Sequence, residues 1–149
     1  MTVENDYKRS LEEIYKSFPE ETRALLDDEV LKIWITFILW GSFTLLSAVL
    51  IWHLIYFDFI KEPISKRIQR TGNIIPVLAI IGESTFIYKL NKLTSVIHPA
   101  QLTYEIYKTR KFRFLFKTTI IVTSILICLG AISSGYGDLI YDSISLIKI

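Results

Sequence analysis

IWITFILWGSFTLLSAVLIWHLIYF, residues 33–57, is a run of 25 positions without Asp, Glu, Lys or Arg. At about 1.5 Å per residue, such a helix crosses a hydrocarbon core of roughly 30 Å with length left for tilt. This run makes the chain an integral membrane protein. Trp34 near one end, and Trp52 with Tyr56 near the other, stand where aromatic rings sit at headgroup level. Gly41, Thr44 and Ala48 recur at i, i+3 and i+7, giving one face of small side chains on which another helix can lie closely.

A second uncharged run, residues 118–136, is about as long as the minimum span. It is dense in small and hydroxyl-bearing residues, among them Thr123 and Gly130, a composition suited to helix packing. The remaining charge is segregated. Residues 1–32 hold nine of the fifteen Asp and Glu, and residues 61–117 hold eleven of the seventeen Lys and Arg. With 149 residues that are 51% hydrophobic, the chain reads as one small membrane unit without room for a separate catalytic domain.

The N-terminus lacks the basic start, short apolar core and cleavage site of a secretory signal, so residues 33–57 read as an uncleaved anchor. Before that anchor, Tyr7, Leu11, Ile14, Tyr15 and Phe18 recur at helical spacing, predicting a short amphipathic helix that ends near Pro19. Its apolar stripe needs a cover, from a partner, the membrane surface or the chain itself. Residues 22–32 contain neither Gly nor Pro and are expected to continue as helix into the first span.

Residues 73–88, NIIPVLAIIGESTFIY, are harder to assign, because their apolar part is short for a span and is interrupted by Gly82 and Glu83. Lys61, Lys66, Arg67 and Arg70 precede this segment, and Lys89, Lys92, Lys108, Arg110, Lys111 and Arg113 follow it. A crossing would leave one of these clusters on the translocated side, against the positive-inside tendency. The predicted fold is therefore an all-α integral membrane protein, a two-span helical hairpin with both termini on the translocated side. Its parts are an acidic amphipathic segment (1–32), a first span (33–57), a basic helical inner loop (58–117), a second span (118–136) and an interfacial tail (137–149). Segment 73–88 lies in the loop as an interfacial or re-entrant helix, with a third short crossing as the alternative.

His98 and Pro99 mark a break, after which a new helix is expected to run into the second span with Leu102, Ile106, Phe112, Phe114 and Phe116 on its apolar side. Arg110, Lys111, Arg113 and Lys117 form a collar immediately before the membrane that suits anionic lipid headgroups. Glu83 is the one carboxylate within an apolar stretch and is a candidate proton or ion site.

Ser134-Gly135-Tyr136-Gly137-Asp138 resembles the filter sequence of potassium channels. Such a filter needs a pore helix before it and a lining helix after it. Here a span precedes it and eleven residues follow, so a helix-terminating turn with two glycines is the expected structure. His53 and His98 are the only histidines, without the paired placement that axial haem ligation requires. Neither HExxH, CxxC nor a glycine-rich phosphate loop occurs, and the single Cys128 has no partner for an intramolecular disulfide. The sequence thus predicts no enzyme, no catalytic or metal-binding residues and no cofactor. The expected role is that of a small subunit that packs into a larger membrane complex of other membrane proteins, stabilises it and contacts anionic lipid, without nucleic acid. The alternative is a self-assembling pore-forming or membrane-permeabilising effector. Bacterial and mitochondrial inner membranes both match the charge pattern.

Overall fold

The computed structural model describes residues 8–57, 61–94 and 102–147. Tyr7, His98, Pro99 and the side chains of Leu102 and Ile147 lie outside the described residues. Every element among the described residues is helical: α1 (Leu11–Ser17), α2 (Glu20–Tyr56), α3 (Ile64–Gly82), a π-helical turn (Glu83–Ile87), α4 (Tyr88–Thr94) and α5 (Leu102–Ile147). α3, the π turn and α4 join into one 31-residue rod from Ile64 to Thr94. Three helices are therefore long and apolar enough to cross a membrane, where the sequence pattern favoured two.

Local chemistry explains the N-terminal corner. The Ser10 hydroxyl accepts from Glu13 N–H, and the Glu13 carboxylate accepts from Ser10 N–H, both at 3.2 Å, a capping box that starts α1. Pro19 stops α1 from continuing and opens α2. The Arg23 guanidinium donates to the carbonyls of Phe18 (2.8 Å) and Lys16 (2.6 Å), satisfying acceptors that the end of α1 leaves open. The apolar stripe of α1 is covered by the chain itself: Ile14 and Phe18 pack with Leu26 of α2 and Tyr107 of α5. Of the three covers the sequence left open, the protein's own helices supply this one.

The rod and α5 run antiparallel in a close seam. A Cβ placed on Gly72 would meet the backbone of Ser133 and Ser134, one on Gly130 would come within 2.6 Å of the Pro76 ring, and one on Gly137 within 3.0 Å of Ile68. Three glycines thus let the two backbones approach closely over the first turns of the rod. The Thr109 hydroxyl donates to the Thr94 carbonyl (2.7 Å) at the other end, fixing the same register. In this register the uncharged stretches coincide: the one between Arg70 and Lys89, broken only by Glu83, lies beside the one between Lys117 and Asp138.

α2 packs on this pair more loosely. It meets them at Phe43 and Phe86 (ring centroids 5.7 Å apart) and at Trp34 and Phe112 (6.4 Å). At its C-terminal end Arg67 donates to the carbonyls of Ile55 and Phe57. A small core of Ile33, Leu90, Phe112 and Leu115 closes the charged end of the bundle. Phe114, expected on the apolar side of its helix, is instead 75% exposed. The expected stop at Gly135 and Gly137 is also corrected. α5 passes through both, no glycine has a positive φ, and the 134–138 motif is helical backbone rather than a filter loop. The close packing of Gly137 against Ile68 and Gln69 accounts for a glycine there.

Candidate functional site

Two depressions on the bundle surface are lined by the described residues. The first is a cavity of about 240 Å³ between α2, α3 and α5, lined by Trp40, Thr44, Ala48, Trp52, Leu78, Thr123 and their neighbours. Its walls are almost wholly apolar, and its polar side chains are inward-facing hydroxyls such as Thr44, which donates to its own helix at Trp40 O (3.0 Å).

The second is a groove of about 380 Å³ between the rod and α5, lined by Ile80, Glu83, Ser84, Ile87, Tyr88, Asn91, Phe116 and Ile120. Its shape follows from the π turn. The Tyr88 N–H bonds the Glu83 carbonyl, an i to i−5 contact, so the wider turn stacks Tyr88 under Glu83. Glu83, Ser84, Tyr88 and Asn91 thereby line one groove with Ile80 and Ile87, and the two apolar side chains of α5 form the opposite wall. The Ser84 hydroxyl is engaged with Ile81 O (3.1 Å). Glu83 is exposed and makes no ion pair or hydrogen bond among the described residues. It stands six residues inside Lys89, a rise of about 9 Å toward the middle of the uncharged layer.

The other residues singled out by sequence fall in three places. Thr123 is buried and lines the cavity with Thr44 and Ala48, and Gly130 is a point of close helix approach. Gly41 is not such a point, for a Cβ there meets nothing within 4 Å. In the basic collar, Arg110 donates to the Arg9 carbonyl (2.8 Å) and ties down the N-terminal corner. Lys111 donates to the Tyr107 hydroxyl (3.0 Å) and lies 5.3 Å from that ring, while Arg113 and Lys117 are exposed. Lys108, not singled out before, forms the most buried ion pair described, with Glu29 at 2.6 Å and its own side chain 9% exposed.

Sequence reasoning missed Gly72 and Gly137, which sit at the charged ends of their spans, and missed Ser84, Tyr88 and Asn91 as neighbours of Glu83. Helical spacing places Ile87 beneath Glu83, and no sequence rule reveals the inserted π turn. Arg67 was counted as loop charge, yet it closes the corner between α2 and α3. No family model, characterised protein or solved structure matches the chain.

Proposed function

We propose that the chain is a non-catalytic subunit that crosses the membrane three times and packs into a larger membrane complex, stabilising it and contacting anionic lipid through Arg110, Lys111, Arg113 and Lys117. The observation that carries this reading is the contrast between a self-covered N-terminal corner and helices whose membrane faces are left open. Leu45, Leu46, Trp52, Ile121, Leu129 and Tyr136 are each more than half exposed. Lipid or neighbouring helices must cover these side chains, and Glu83 among them is a group that lipid does not satisfy.

Three crossings put twelve of the seventeen Lys and Arg on the side of the N-terminus and five on the other, which orients the N-terminus inward. The cluster at residues 61–70 is partly tied up by the chain itself. Arg67 caps carbonyls of α2, and Arg70 pairs with Glu62 at 3.0 Å, so two of its four cations are already engaged. Bacterial and mitochondrial inner membranes suit this orientation equally.

Native mass determination after mild extraction, with identification of copurifying proteins, tests the reading. Several different proteins at fixed ratio are expected. A discrete homo-oligomer with no other protein would overturn it and favour the pore-forming alternative, for which conductance in planar bilayers is then the test.

A further inference from the structure

The groove around Glu83 has all its polar side chains on the wall given by the rod, beside Ile80 and Ile87, and is apolar on the wall given by α5. A carboxylate at this depth, uncovered by its own chain, requires a counter-charge or a proton. Below it, Lys89 and Lys117 stand at the edge of the uncharged layer and repel a free cation approaching the groove from that side. The counter-charge therefore has to arrive laterally, through the membrane. A second copy in the same orientation cannot bring it, because the aligned uncharged stretches 33–57, 71–82, 84–88 and 118–137 hold no Lys or Arg. Such a copy would set Glu83 at the level of another Glu83.

Resting on the reading of the chain as a subunit, we propose that this groove seats a transmembrane helix of a different protein that carries a lysine or arginine at the depth of Glu83. The partner's cation pairs with the Glu83 carboxylate, Tyr88 and Asn91 offer further hydrogen-bonding groups on the same wall, and Phe116 and Ile120 pack against the apolar turns on either side of the cation. The pairing also selects the partner, since a wholly apolar helix would leave the carboxylate buried without a counter-charge.

The test places a photo-crosslinking residue at position 84 of the full chain in its native membrane and compares Glu83 with Glu83→Gln and Glu83→Asp. The expected crosslink is to an apolar segment of another protein, within a turn of a Lys or Arg. Its yield should fall about tenfold in Glu83→Gln, the size of one interhelical polar contact, and be largely kept in Glu83→Asp. Unchanged tryptophan fluorescence and thermal unfolding of Glu83→Gln show that the loss is not one of folding. Crosslinks confined to lipid, crosslinks to a second copy, or a yield indifferent to Glu83→Gln would each overturn the proposal. If the subunit reading itself fails, no other protein copurifies with any variant. If only this inference fails, the assembly persists and the yield does not respond to the charge.

Discussion

The seam between the middle rod and α5 and the seam between that rod and α2 lie in one bundle and share the same rod, yet they are built differently. Gly72, Gly130 and Gly137 bring the first to close backbone approach at its end from Ile68 to Pro76, with the groove around Glu83 farther along it. The second touches at the core of Ile33 and Leu90, at Phe43 and at the Arg67 corner, and leaves a cavity of about 240 Å³ between the last two. Without a hydrophobic effect to draw helices together inside lipid, close packing supplies much of the attraction between them. The first seam therefore holds the unit together, and the second is free to adjust to what surrounds it.

Glycine substitutions should break this contrast most strongly. Gly72→Leu forces a side chain into the backbone of Ser133 and Ser134 and is expected to cost about 3 kcal/mol, or to separate the helices, read by thermal unfolding in detergent. Gly41→Ala, on a face with open space, should instead raise stability by up to about 1 kcal/mol through helix propensity alone. Equal losses at both positions would show that the two seams are not different in kind.

Lys108→Met tests whether the charged end of the bundle is held as firmly as the glycine seam. It leaves Glu29, one third exposed, without its 2.6 Å partner, and the expected loss is about 2 kcal/mol, below that of a fully buried pair. Restoration in a Glu29→Met, Lys108→Met double variant would assign the loss to the orphaned carboxylate.

The smallest effect belongs to the outer clasp of α1. The Tyr15 hydroxyl donates to the Asp27 carboxylate at 2.9 Å, and that hydrogen bond to an anion holds the phenol above the ordinary tyrosine range. A raised folded-state value means that the contribution is complete below the unfolded value of about 10 and is lost as the pH rises through the folded one. The docking of α1 should loosen only in that alkaline range, seen as faster amide exchange in residues 11–18. Tyr15→Phe should remove the pH dependence while leaving α2 and α5 unchanged.

Sequence made the outer two helices legible because residues 33–57 and 118–136 lack charge throughout, and length alone then decides. The amphipathic start was legible from its period, although the Ser10 and Glu13 capping box was not used to place its first turn. The middle rod was obscured by Gly82 and Glu83, which interrupt its apolar part, and by the basic clusters on both sides of it, which argue against a crossing. In three dimensions Pro76 packs on Gly130, Gly82 faces Phe43, and Glu83 begins a π turn, so each has a place within one continuous helix. Gly135 and Gly137 misled for the same reason: a glycine signals a turn locally, whereas Gly137 serves a helix contact that only the partner strip around Ile68 reveals. Glu83 was identified as the unusual carboxylate, but its groove depends on packing between elements distant in sequence.

The depth of Glu83, and with it the account of the groove, depends on the middle rod crossing the bilayer. In a Cys128→Ser background, single cysteines at Lys61→Cys and Lys92→Cys are exposed to a membrane-impermeant thiol reagent in sealed, uniformly oriented vesicles. Three crossings predict that one of the two is labelled and the other is reached only after the membrane is opened. Equal labelling of both, or protection of both, would place residues 61 and 92 on the same side and contradict the three-span account.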